Sequence, residues 1–136
     1  MMSEKPKVLV IDDDADLVAS VRMVMENAGW RVSSAENGAA GITRAREEAP
    51  QLIVLDVLMP RQDGLTTYER LREEEALKAI PIIVLTSVSE KLGIGFSREE
   101  FKTHYGHAPE AFLEKPFEPH SFLNTVKRVY RPHSPT

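Results

Sequence analysis

The sequence predicts an α/β domain, a parallel five-stranded sheet with helices on both faces. Two observations lead there. Runs that are wholly apolar, VLVI at 8–11, LIVL at 52–55 and IIVL at 82–85, read as strands buried on both sides. Stretches with apolar residues at helical spacing lie between them, so strand and helix alternate five times.

Right-handed crossovers leave few topologies. For five strands the expected sheet is the flavodoxin-like, doubly wound (βα)5 arrangement with strand order 2-1-3-4-5. The first strand is Lys7 to Ile11. Leu17, Val18, Val21, Val24, Met25 and Ala28 mark the first helix, which Gly29 stops. Asp14 suits its N-cap. Trp30 to Ala35 is a weaker strand. Gly38 to Ala49 is a helix with Ala39, Ile42, Ala45 and Ala49 on one face, and it ends before Pro50. Leu52 to Asp56 is the third strand and LMPRQDG a loop, with Gly64 allowing a tight turn into the next helix. Leu65, Tyr68 and Leu71 carry that helix to about Leu77, with Arg72 to Ala76 as a solvated face. The fourth strand follows Pro81. Ser97 and Glu100 form a capping box for a short helix ending near Gly106. Ala111 to Glu114 is the fifth strand. Glu118 to Tyr130 is the last helix, with Pro119 in its first turn and Phe122, Leu123, Val126, Val129 and Tyr130 on its buried side.

Composition narrows the function. The chain has 136 residues, enough for one core, and a net charge of -4, which argues against nucleic acid as a direct partner. It has no cysteine, hence no disulfide framework or thiol chemistry. The start, MMSEKPK, has no long apolar run behind it, so no signal peptide is expected, and no stretch reaches membrane-spanning length. The expected location is the cytoplasm. Residues 1–130 form the expected domain and 131–136 a frayed tail.

Three consecutive carboxylates, Asp12, Asp13 and Asp14, follow the first strand. Alone, such a triplet is an ordinary solvated loop. In a parallel sheet, however, all carboxyl ends share one edge, where ligands bind. Asp12 and Asp13 stand there with Asp56, with Thr86 and Ser87, and with Lys115 ahead of Pro116. Carboxylates without His or Cys favour a hard divalent cation, Mg²⁺ above all, and Mg²⁺ typically shares its shell with phosphate oxygens. An aspartate can accept a phosphoryl group, while a cation, a lysine and a hydroxyl spread the transferring charge.

VLVIDDDADL, LIVLDVLMPRQDG, PIIVLTS and FLEKPFEP, in that order and over nearly the whole chain, resemble the receiver domain of bacterial two-component response regulators. The resemblance implies that Asp56 is the phosphoacceptor. It implies that Asp12 and Asp13 hold Mg²⁺, Asp13 as the direct ligand, together with Asp56 and the backbone carbonyl of Leu58. Lys115 would pair with the phosphoryl group, and its bond to Pro116 would be cis. Thr86 would move toward the phosphoryl oxygen and Phe112, at the switch-aromatic position, into the vacated space. The implied donor is a sensor histidine kinase, which reads exposed residues of the first helix such as Asp16, Ala19, Ser20 and Met23. The sequence ends soon after the last helix, so no output module is expected. The expected output is therefore a protein contact, or transfer to a histidine phosphotransfer protein, by a monomer or weak homodimer that is not an enzyme.

The chain departs from the family between Thr86 and Lys115. The 28 intervening residues are several more than usual, and Gly93 and Gly95 interrupt the expected alanine-rich helix. The segment is expected to shape a partner-specific surface, with Phe96, Phe101 and Tyr105 pinning it down. Leu58 and Val88 cannot orient hydrolytic water, which predicts a long-lived acyl phosphate. His104, His107 and Glu110 lack a further ligand, so a metal site there is set aside, and His120 and His133 read as surface residues. Two competing functions remain. One is an interaction module of the same fold that works without phosphorylation. The other is a dehalogenase-type phosphatase, which lacks its general acid because Leu58 stands where a second Asp is needed.

Overall fold

The computed structural model describes residues 5–57, 63–87, 99, 102–103 and 106–130. The apolar runs become strands β1 (Lys7–Ile11), β2 (Arg31–Ala35), β3 (Leu52–Asp56), β4 (Ile82–Ser87) and β5 (Ala111–Lys115). All neighbours pair in parallel, in the expected order β2-β1-β3-β4-β5. The helices that run wholly within the described residues are α1 (Ala15–Asn27), α2 (Gly38–Glu48), α3 (Asp63–Glu73) and α4 (Pro119–Val129). None of the described helices is long and apolar enough to cross a membrane.

Side chains alternate across a strand, so β1, β3 and β4 each feed two cores. Leu9, Ile11, Ile53, Leu55, Ile82 and Val84 pack with Ile42 and Ala45 of α2 and with Tyr68 and Leu71 of α3. Val8, Val10, Val54, Ile83 and Leu85 pack on the other face with Val21 and Met25 of α1 and with Phe122 and Val126 of α4. This is why β1, β3 and β4 need apolar residues at successive positions.

Local signals explain the helix ends. The Asp14 carboxylate accepts from the backbone N–H groups of Asp16 and Leu17 (3.0 and 3.2 Å), capping α1 as expected. Asn37 does the same for α2 through the Ala40 N–H. Gly29 follows α1 with φ 95°, a conformation that favours glycine. Glu99, Lys102 and Thr103 are helical, and the Gly106 N–H donates to the Lys102 carbonyl at φ 84°, consistent with a helix stopping there. Ser97 and Glu100 themselves, like Gly93, Gly95, Phe96, Phe101, His104, Tyr105 and His133, lie outside the described residues.

Four expectations change. Ala28 is exposed, because α1 ends at Asn27 and Ala28 is its C-cap. Helix α2 buries Gly38 and Gly41 beside Ile42 and Ala45, while Ala39 and Ala49 face solvent. At Gly41 the Ile11 side chain lies so close that glycine is favoured, where hydropathy had pointed to alanine. Helix α3 ends at Glu73, four residues short of Leu77. The Leu77 and Lys78 N–H groups both turn back to the Glu74 carbonyl, and Leu77 drops into the core from a turn. Arg72 is not on a solvated face: its side chain is only 7% exposed.

Gly41 yields a prediction. A Cβ there would sit 2.5 Å from Ile11 Cδ1 and 2.8 Å from Cγ1. Gly41→Ala is therefore expected to destabilise the protein by ~1–2 kcal/mol in urea unfolding, because overpacking outweighs the gain of about 1 kcal/mol from helix propensity. The added substitution Ile11→Val, which removes Cδ1, should return part of that loss. A more stable Gly41→Ala variant would show that Ile11 yields freely.

Candidate functional site

The sheet order reverses at β1 and β3, which opens a crevice beyond their carboxyl ends. Asp12 follows β1, and its N–H donates to the Ala35 carbonyl at 3.0 Å, which holds the chain against β2. Asp56 is the last residue of β3 and lies in register with Leu85 of β4. The two carboxylates therefore meet because neighbouring strands end together. Both residues are buried, at 2% and 3% exposure, whereas Asp13 is exposed.

Lys115, the last residue of β5, reaches across the β4 end. Its Nζ lies 3.1 Å from Asp12 Oδ2 and donates to Asp56 Oδ2, also at 3.1 Å. The bond from Lys115 to Pro116 is cis, as the resemblance implied. Burial works against the Lys115 ammonium, but Asp12 and Asp56 outweigh it and hold its pKa above the ordinary lysine value. Asp12 is pushed up from 3.8 to about 6, first by burial and then by the Asp56 charge, against the opposing pull of the Asp14 N–H and Lys115. One ammonium therefore does not fully offset two buried carboxylates.

Carboxylate oxygens of Asp12, Asp13 and Asp56 lie within 4.8 Å of one another. Asp12 Oδ1 accepts from the Asp14 N–H at 3.0 Å. Asp12 Oδ2 is buried and faces the Lys115 ammonium at 3.1 Å. Two buried carboxylates share this one ammonium, so the pocket keeps an excess of negative charge that a further cation would offset. An all-oxygen donor set fits a hard divalent ion, so the residues present form an acidic pocket able to take one.

Thr86 is buried at the end of β4, in register with Glu114, beside Lys115 in β5. Phe112 is half-buried and packs against the α2–α3 core. The site thus gathers Asp12, Asp13, Asp56, Thr86 and Lys115 at one sheet edge, while Phe112 lies deeper along β5. Leu58, Met59, Pro60 and Val88 fall outside the described residues. Asp16, Ala19, Ser20 and Met23 are all exposed on α1, Met23 at 65%. His107 and Glu110 have other partners: His107 Nδ1 lies 3.1 Å from the Tyr68 hydroxyl, and Glu110 accepts from Arg72 and from the Ile82 N–H. His120 is exposed.

Gly64 positions the site in a way that the turn reading missed. Its φ is not positive, so conformational freedom is not the reason for glycine. A Cβ at Gly64 would collide with the Asp56 carbonyl oxygen and with Val57 Cα. The first turn of α3 rests directly on the backbone of the β3 end.

Fold and site together define a doubly wound α/β module with an acidic pocket at the carboxyl edge of its sheet. The response regulator receiver domain model matches residues 8–127, and the chain belongs to that family. Such domains are components of two-component signalling systems rather than turnover enzymes. The chain is 31% identical over 129 residues to the alkaline phosphatase synthesis transcriptional regulatory protein PhoP of Bacillus subtilis (strain 168), covering 92% of this chain and 48% of PhoP. It is 26% identical over 123 residues to the protein PilH of Pseudomonas aeruginosa, covering 90% of this chain and 96% of PilH. The chemotaxis response regulator CheY4 of Vibrio cholerae superposes with a TM-score of 0.77 at 28% identity, over 93% of this chain and 99% of CheY4. The chain spans about half the length of several curated relatives, PhoP and ResD of Bacillus subtilis among them.

Proposed function

We propose that this chain is a phosphoacceptor response regulator, taking a phosphoryl group from a sensor histidine kinase or histidine phosphotransfer protein onto Asp56. The observation that carries this reading is the joint placement of Asp12, Asp13, Asp56 and Lys115, two buried carboxylates sharing one ammonium. The receiver unit is taken as residues 1–130 with a short tail, working in the cytoplasm.

Asp12, Asp13 and Asp56 would hold Mg²⁺, with the Leu58 carbonyl as a further ligand. Asp13 is the exposed carboxylate and Asp12 is already engaged by Lys115, which favours Asp13 as the direct ligand. The ion would supply positive charge against the phosphoryl oxygens. Asp56 is the nucleophile. Its oxygen forms the new bond to phosphorus as the bond from phosphorus to the donor histidine breaks. Lys115, already 3.1 Å from Asp56 Oδ2, would pair with a phosphoryl oxygen, and Thr86 would donate its hydroxyl to another. Drawing Thr86 inward leaves space for Phe112, and a protein partner reads the altered face. The exposed α1 residues Asp16, Ala19, Ser20 and Met23 are the proposed kinase contacts.

Intact-mass spectrometry with acetyl phosphate and Mg²⁺ tests the assignment. One phosphoryl adduct is expected on the wild type, and none with EDTA or on Asp56→Asn. A folded wild type that forms no adduct and binds no beryllofluoride would favour the phosphorylation-independent interaction module instead. Once formed, the adduct is expected to persist far beyond seconds, because Leu58 and Val88 offer hydrolytic water no hydrogen bond. Decay within seconds, followed by the same mass measurement, would contradict that.

A further inference from the structure

The end of the sheet remote from the acidic pocket holds a buried polar cluster that the chemistry above does not use. Arg72, in the last turn of α3, donates to the carbonyls of Lys78, Ile80 and Ala108, each at 3.2 Å. It also donates to Glu110 Oε1 at 2.9 Å, and the same oxygen accepts from the Ile82 N–H at 2.8 Å. Its guanidinium lies 5.4 Å from the centre of the fully buried Tyr68 ring, whose hydroxyl meets His107. One cation thus ties together the end of α3, the turn into β4, the first N–H of β4 and the approach to β5. Helix stability does not need this. A long basic side chain at a helix end is ordinarily solvated, and burying one requires every donor to find a partner.

The segments the cluster ties down border the same core as Phe112. Phe112 lies two residues beyond Glu110 and pairs in register with Val84. It packs against the core that contains Tyr68, Leu71, Leu77, Ile82 and Val84, and Ile80 and Ala108 pack against that same core. Arg72 grips the carbonyls of both Ile80 and Ala108. We infer that Arg72, with Glu110, is a positioning residue for the switch: it fixes the main chain around Phe112 and so biases where that ring lies, without touching the acidic pocket. This rests on the reading of Phe112 as the moving aromatic. With the clamp released, the walls of the Phe112 site relax and the resting arrangement loses its advantage. A conformer that suits phosphoryl transfer then becomes more populated before any donor arrives.

The test uses the full chain labelled with fluorophenylalanine, the Phe112 resonance being assigned by Phe112→Leu. Wild type, Arg72→Met, Arg72→Lys and Glu110→Gln are compared. Glu110→Gln keeps an oxygen for the Ile82 N–H and removes only the charge facing Arg72. It decides the matter if Arg72→Met does not fold. In Arg72→Met and Glu110→Gln, the resting Phe112 resonance is expected to move toward its position in wild type with beryllofluoride. Adduct formation with acetyl phosphate should quicken by roughly threefold or more, while Mg²⁺ affinity stays within about twofold of wild type. Arg72→Lys, with a charge but no fork, should fall between. Folded variants with an unmoved resonance and an unchanged rate would overturn the proposal, as would Mg²⁺ affinity falling in step with stability. A wild type that forms the adduct while its Phe112 resonance ignores beryllofluoride would instead overturn the switch reading on which the proposal rests.

Discussion

Replacing Lys115 with methionine is expected to lower the stability of the ion-free protein by ~2–3 kcal/mol and to abolish adduct formation from acetyl phosphate. The ammonium is 3.1 Å from both Asp12 Oδ2 and Asp56 Oδ2, and both carboxylates are almost wholly buried. Its removal leaves two like charges facing each other without a counterion. The cost is held below that of a fully buried pair because the lysine side chain is 23% exposed and Asp12 can take up a proton near neutrality. Mg²⁺ should then stabilise the variant more than it stabilises the wild type, since lysine no longer competes for the same oxygens. Urea unfolding in EDTA and in Mg²⁺ measures both effects. Equal midpoints for variant and wild type in EDTA would mean that the ion pair contributes nothing.

Gly64→Ala is the second large effect, with an expected loss of ~3 kcal/mol or more. Alanine would ordinarily strengthen a helix by about 1 kcal/mol, so the two influences have opposite signs and the experiment separates them. The added methyl meets backbone atoms of Asp56 and Val57, at the end of a fully buried strand that has no room to retreat. Either α3 lifts or the β3 end shifts, and Asp56 moves with it. Chemical denaturation gives the stability change, and a Mg²⁺ titration of the surviving folded fraction should show weaker binding. A variant more stable than wild type, with Mg²⁺ affinity intact, would refute the close seating of α3 on β3.

Arg72 and Gly64 show where sequence reasoning stops. In the sequence, Arg72 opens the run REEEA, and its neighbours Glu73, Glu75 and Ala76 are indeed exposed. No local signal separates it from them. Its partners are up to 38 residues away, on segments that only the fold assembles. Gly64 looked like a turn residue because glycine beside aspartate commonly is one. The reason for glycine is a contact with the preceding strand end, which propensity does not encode. Gly41 is similar, since the requirement lies in Ile11, a residue of β1. The α3 end was misread for a related reason: Leu77 has helical spacing, yet it reaches the core from a turn.

What the sequence determined by itself was the alternation of strand and helix, the 2-1-3-4-5 order and the residues standing at the carboxyl edge. Those follow from period-2 and period-3.6 patterning, from crossover handedness and from parallel strands ending together, all of which are local or generic. The tertiary structure alone decided which carboxylate is buried and which exposed, that Asp12 and Asp56 share the Lys115 ammonium, and that Arg72 is buried. Burial and hydrogen bonding are properties of pairs distant in sequence. They come into being only when β1, β3 and β5 bring Asp12, Asp56 and Lys115 together at one edge, and when α3 lays Arg72 across the approach to β5 at the other.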